Sequence, residues 1–164
     1  NCDFMDIFLA SQCKFYICSD SGISTVPECF RKALVITNFP AVRRIPLHVG
    51  IVNSIYLLKK FYSKSQKRLL SFKEIMDIEN NTIHFGSKKF KENYSDIDIL
   101  ENSPEEIDEA AQEMEKRLNG IWTNEPGDAE LQEKFWAINK LGKFKSEKLL
   151  VGTMFLRKYQ HLLN

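Results

Sequence analysis

Two apolar runs with a turn and a short helix between them constrain this chain more than any other feature. Lys14-Phe15-Tyr16-Ile17-Cys18 and Ala33-Leu34-Val35-Ile36-Thr37-Asn38-Phe39 are compact and bounded by polar residues or by Pro40. Apolar runs of that length without alternation have the form of strands buried on both faces. Between them, Ser19-Asp20-Ser21-Gly22 breaks the first run. Thr25-Val26-Pro27-Glu28 then has the spacing of a capping box, with Thr25 at the N-cap, Pro27 in the first turn and Glu28 three residues on. The helix that it opens runs to about Lys32. A strand, a crossover helix and a second strand make a parallel pair with a right-handed crossover. The expected fold class is therefore α/β, a Rossmann-like parallel sheet with flanking helices.

The flanks are less uniform. Phe4, Ile7 and Phe8 fall at helical spacing and predict a short helix over residues 3–11. Residues 40–70 read as a long irregular connection containing Tyr56 to Phe61. Ser71 and Glu74 form another capping box, opening a helix to about Ile78. Residues 80–91 read as loop around a short strand at 82–85, and residues 97–101 as a third strand. Ser103-Pro104-Glu105-Glu106 supplies an N-cap, an N1 proline and an N3 glutamate for a helix carrying Ile107, Ala110, Ala111, Met114 and Leu118, closed by Gly120. A helix through Leu131, Phe135, Trp136 and Ile138 ends near Gly142, and residues 145–163 read as a last helix. The chain thus divides into an α/β core over about 1–120 and a helical extension over 121–164.

With 164 residues, 43% apolar and 27% charged, the chain is one ordinary domain and not a disordered or fibrous one. No apolar stretch is long enough for a transmembrane helix or a signal peptide, and without an initiator Met the chain reads as part of a larger protein. Four cysteines, Cys2, Cys13, Cys18 and Cys29, lie in the first 29 residues with no CxxC pair and no nearby His. That spacing does not make a tetrahedral metal site. It predicts reduced, buried thiols and a cytoplasmic location. Residues 1–91 carry fourteen Lys/Arg against seven Asp/Glu, and residues 92–164 nine against fifteen. An anionic ligand is expected on the basic half, while the net charge of +1 predicts no nucleic-acid partner.

In an open α/β sheet, ligands bind beyond the carboxyl ends of parallel strands. The first such end carries Ser19, Asp20, Ser21, Gly22, Ile23, Ser24 and Thr25. Glycine permits a close backbone approach, and unpaired amides, hydroxyls and a helix start favour phosphate oxygens. Asp20 suits sugar hydroxyls or the turn itself better than a phosphate. The second strand ends at Asn38 on the same edge, with Arg43, Arg44 and His48 following. Two guanidiniums there could bind a pyrophosphate bidentately. The basic stretch Lys59, Lys60, Lys64, Lys67 and Arg68, interleaved with Phe61 and Tyr62, reads as a solvated face. P-loop, GxGxxG, GxSxG and HExxH motifs are all missing, so no catalytic residue is assigned.

Several segments resemble the donor-side domain of bacterial surface-polysaccharide glycosyltransferases with a GT-B-like fold. They are Phe4-Met5-Asp6-Ile7, the block from Cys13 to Gly22, Val26-Pro27, Phe30-Arg31-Lys32, Asn38, Leu70 to Ile75, Glu101 to Ile107, and Arg117-Leu118-Asn119-Gly120 before Trp122. The Ser-Asp-Ser-Gly turn is also similar to the diphosphate-holding turn of heptosyltransferase-type enzymes, although Thr25 stands where those have a His. The resemblance implies a nucleotide-diphosphate sugar across the carboxyl edge, no bound metal and no cofactor. It also implies an acceptor-binding domain preceding this one, and a possible self-association through the face that domain would cover. The alternative is a non-catalytic nucleotide- or sugar-phosphate-binding module.

Overall fold

The computed structural model describes residues 3–40, 42, 45, 52–81, 87–138 and 148–164. Its frame is a Rossmann-like α/β fold: a four-stranded, all-parallel sheet of order β1-β2-β3-β7 flanked by helices. After helix α1 (Asp3–Gln12) come β1 (Phe15–Ser19), a 3-10 turn (Gly22–Ser24), helix α2 (Thr25–Cys29) and β2 (Ala33–Phe39). Strand β3 (Ser54–Leu58) is followed after a single residue by β4 (Lys60–Ser63), which leaves the parallel sheet. β4 pairs antiparallel with β5 (Arg68–Leu69) and β6 (Ile97–Leu100) in a second, three-stranded sheet. Helices α3 (Phe72–Asn80) and α4 (Lys88–Asn93) lie between those two strands in sequence. The rest comprises α5 (Pro104–Leu118), α6 (Asp128–Ile138), β7 (Leu149–Val151), α7 (Thr153–Lys158) and a closing 3-10 turn (Gln160–Leu163).

The predicted β1-α2-β2 unit forms, and Phe15 to Ser19 stand opposite Ala33 to Thr37. β2 and β3 are buried almost throughout, as central strands of a sheet covered on both faces must be. β1 differs from the expectation. It is an edge strand, with Cys18 buried but Ile17 and Ser19 exposed.

Three other segments depart from the sequence reading. Residues 54–58 and 60–63 are strand, not irregular connection, and include the fully buried Tyr56 and Phe61. Residues 97–100 do form a strand, but it belongs to the antiparallel sheet. The last helix is interrupted by β7, which pairs with β3, so the C-terminal segment completes the parallel sheet and is not an appended helical extension. Residues 88–93 are helical, and the short strand read at 82–85 lies outside the described residues.

The helix signals that rest on capping hold at α3 and α5. Ser71 and Glu74 exchange both capping-box hydrogen bonds, as do Ser103 and Glu106. α5 ends in a Schellman motif, with Gly120 at φ +70°, its amide donating to the Arg117 carbonyl and that of Ile121 to the Lys116 carbonyl. Packed against the sheets is an aromatic cluster in which Phe72 and Phe135 meet edge to face at 5.4 Å. Phe135 and Trp136 do the same at 5.5 Å.

Candidate functional site

The β1–α2 turn stands at the carboxyl edge of the sheet, beside the end of β2, because Ser19 pairs with Thr37. Ser19, Ser21, Gly22, Ile23 and Thr25 are exposed, Asp20 is half-buried and Ser24 is buried. Among the described residues, no acceptor meets the amides of Ser21, Gly22 and Ile23. The amide of Ser24 is taken by the Ser21 carbonyl at 3.0 Å, and that of Thr25 turns back to the carbonyls of Gly22 and Ile23.

The hydroxyls are used differently from the expectation. Thr25 does not cap α2: its backbone is already helical, and its Oγ1 donates to the Gly22 carbonyl at 2.7 Å. Ser24 Oγ likewise donates to the Ser21 carbonyl at 2.7 Å. Each hydroxyl is turned back to a carbonyl three residues earlier within the 3-10 segment, and α2 has no side-chain cap hydrogen bond. α2 itself is only five residues long, too short to add much of a helix dipole. A ligand at this turn would therefore be held by three amides and the Ser21 and Ser19 hydroxyls.

Gly22 does not have a left-handed backbone, and a Cβ built on it would meet nothing within 4 Å. The fold does not require glycine there. Negative potential is nearby: burial first, then Glu28 and Asp20, push the Cys18 thiol up to about 11, and the same three influences raise the buried Tyr56 hydroxyl. The acids thus bear on the interior beneath this turn.

Asn38 is a bulge residue. Between Ile36 and Phe39 the β2–β3 register slips by one, and Asn38 sits at φ +53°, a conformation that asparagine tolerates. Its amide donates to Asn102 Oδ1 at 2.6 Å, and its Oδ1 accepts from the Asn102 amide at 2.6 Å. The backbone amide and Oδ1 of Asn38 are thus both engaged by Asn102 at the edge where a ligand contact was expected. Arg43 and Arg44, together with His48, lie outside the described residues.

Sequence reasoning missed a second polar cluster linked to this edge through Asn102. Glu106, 2% exposed, accepts from Lys60 Nζ at 2.6 Å, Tyr159 Oη at 2.6 Å, Lys158 Nζ at 3.2 Å, the Ser103 amide at 3.1 Å and Asn102 Nδ2 at 3.3 Å. Burial pushes its carboxyl up, but the bonds from Lys60, Tyr159, Ser103 and Lys158 outweigh that and hold it at about 2. The capping-box spacing had marked Glu106 for the Ser103 amide alone. Lys60, read as part of a solvated basic face, is buried here as its partner.

Part of the charge polarity of the sequence is neutralised by pairing within the fold. Lys14 pairs with Glu115, Lys59 with Glu101, Lys60 with Glu106 and Lys64 with Asp98, each joining the basic part of the chain to the acidic part. Arg68 is held bidentately by Glu74. These five cations are therefore already engaged by carboxylates within the fold.

The strand order also bears on the site. Among the described residues, β1, β2, β3 and β7 succeed one another in a single direction across the sheet, without a reversal of order. The described strands therefore form no crevice of the kind that opens at a reversal in doubly wound sheets, and the β1–α2 turn stands at the margin of the described sheet. Of the described cysteines, Cys13, Cys18 and Cys29 are free; only Cys18 is buried, against the expectation for all of them. Among the described residues no cluster of His, Cys, Asp and Glu has metal-binding geometry, and no helix is long and apolar enough to cross a membrane. Comparison with protein-family models, with curated proteins and with solved structures finds no match.

Proposed function

We propose that this chain binds the diphosphate of a nucleotide-activated sugar at the β1–α2 turn, as the donor half of a cytoplasmic glycosyltransferase acting on surface polysaccharide. The observation that carries this reading is the row of three amides, Ser21 to Ile23, that meet no acceptor among the described residues, around a glycine that the backbone does not need. Consecutive amides without internal acceptors form a concave donor set suited to phosphate oxygens. Asp20, beside them, suits the sugar hydroxyls. Transfer would require an acceptor-binding domain, and the general base would come from it.

The unreversed strand order favours a second reading, a non-catalytic nucleotide- or sugar-phosphate-binding module. Both readings are tested by thermal unfolding with UDP, GDP, CDP and ADP. A true ligand at a hundred times its Kd stabilises the fold by about 2.7 kcal/mol, a shift of about 5–10 °C for a domain of this size. Gly22→Val, whose Cβ would meet no atom within 4 Å, is expected to keep the unliganded midpoint and lose the shift. A shift fully retained by Gly22→Val would place the ligand elsewhere. Catalytic and non-catalytic readings separate on whether the chain joined to an acceptor domain transfers sugar.

A further inference from the structure

The polar cluster centred on Glu106 brings an amine, a carboxamide and a carboxylate together out of water. Lys60, Asn102 and Glu106 are 7%, 8% and 2% exposed. Lys60 stands opposite Leu100 in the β4–β6 ladder, two residues before Asn102, and Glu106 is the N3 residue of α5. One carboxylate oxygen, Glu106 Oε2, accepts from both Lys60 Nζ at 2.6 Å and Asn102 Nδ2 at 3.3 Å. The other oxygen is tied by Tyr159 Oη and Lys158 Nζ, which holds the carboxylate between amine and carboxamide. The Asn102 carbonyl meets the Asn38 backbone amide at 2.6 Å. A nucleophile, a proton carrier touching both nucleophile and leaving group, and a carbonyl polarised by a backbone amide are the parts of an acyl transfer.

We propose that Lys60 and Asn102 join in an isopeptide bond within the folded chain, with Glu106 carrying the proton. Oε2 takes a proton from the Lys60 ammonium, and the neutral amine attacks Cγ of Asn102. The negative charge that develops on Oδ1 is met by the Asn38 amide. Oε2 then passes its proton to Nδ2 and takes the surplus proton from the lysine nitrogen. The Cγ–Nζ bond replaces the Cγ–Nδ2 bond, and ammonia leaves with that last proton as ammonium. Burial withholds the water that would compete with the amine. The donors on Oε1 keep Glu106 ionised at rest. A freshly folded chain therefore holds the ion pair, and the bond accumulates slowly from molecules in which Oε2 has taken the proton. The product keeps Oδ1 for the Asn38 amide and ties β4 covalently to the start of α5. None of this chemistry depends on a ligand at the β1–α2 turn.

Intact-mass spectrometry of the freshly refolded chain, followed over a week at physiological temperature, reads the reaction as the loss of one ammonia. Trypsin should then release one branched peptide, residues 60–64 joined to residues 92–116, because a cross-linked Lys60 is no longer a cleavage site. The same chain held unfolded in guanidinium should yield no branched peptide. Lys60→Arg keeps a cation against Glu106 but has no amine to attack with, and it should hold its full mass. Glu106→Gln should slow the cross-link at least ~100-fold. Circular dichroism matching the wild type shows that each variant is folded. A folded wild-type chain that keeps its full mass overturns the proposal. A lost ammonia that maps instead to a succinimide at Asn119-Gly120 overturns it as well, as does a Glu106→Gln chain that cross-links at the wild-type rate.

Discussion

The two margins of the parallel sheet are finished in opposite ways. At β7, Gln132 of α6 lays its side-chain amide along the strand, donating to the Val151 carbonyl at 2.6 Å and accepting from the Val151 amide at 3.3 Å. One glutamine thus does for β7 what another strand would do. Around it, three buried carboxylates are fully engaged. Glu106 holds Lys60, Lys158 and Tyr159; Glu113 holds Thr153 and Arg117; Asp128 takes Arg157 bidentately at 2.7 Å through both oxygens. At β1, among the described residues, no strand pairs with the outer side, α1 exposes its apolar side chains, and three amides of the adjoining turn meet no acceptor. Polar groups with internal partners fix one margin, and the proposed binding site lies at the other.

The largest test of this contrast is Glu106→Ala. Removing one partner of a buried pair costs far more than the pair itself contributes, because Lys60, 7% exposed, would keep a buried charge. A loss of about 3–5 kcal/mol is expected in denaturant unfolding; a change under 1 kcal/mol would mean that Lys60 escapes to water. The pH dependence has a definite sign. The carboxyl of Glu106 is lowered from 4.5 to about 2, so its contribution is present above pH 4.5 and lost as pH falls toward 2. Because Glu74, Asp96 and Asp128 are lowered too, the difference between wild type and variant reads Glu106, and it should shrink over that interval.

A smaller effect comes from Gln132→Ala, which uncovers the β7 edge. Two hydrogen bonds at about 0.5–1.5 kcal/mol each predict a loss of about 1–3 kcal/mol, with faster hydrogen exchange at Val151. An unchanged Val151 amide would show that the strand does not rely on this clamp. Smallest, and opposite in sign, is Arg31→Gly beside the open margin. α2 ends in a Schellman motif, the Arg31 amide donating to the Glu28 carbonyl and that of Lys32 to the Pro27 carbonyl, and Arg31 occupies φ +55°. Glycine relieves that left-handed strain, and a gain of up to about 1 kcal/mol is expected in the same unfolding measurement.

What could be read from the sequence depended on whether the signal was local. The capping boxes at Ser71 and Ser103 and the glycine at 120 are self-contained chemistry, and all three form. The box at Thr25 was lost because the chain begins to turn at Gly22 and the hydroxyls find nearer carbonyls. β3 and β4 were hidden by Lys59-Lys60, which looks solvated until Glu106 arrives from forty-six residues away. β7 has three residues, too few to show any period, and its register comes from β3. The run at 14–18 gave the right strand in the wrong surroundings, because an apolar run does not distinguish a covered strand from one left open. Of the candidate site, the position of the turn was legible from the β1-α2-β2 pattern, whereas the use of Ser24, Thr25 and Asn38 was not, since each depends on partners that only the folded backbone supplies.

Under the proposed function, three amides of the β1–α2 turn receive a diphosphate. Amide NMR of the chain titrated with nucleoside diphosphates tests it residue by residue. Saturable shifts at Ser21, Gly22 and Ile23, larger for UDP, GDP, CDP or ADP than for the matching nucleoside, are the predicted result. Those three resonances staying still at saturating nucleotide, or moving only with distant ones, would contradict it.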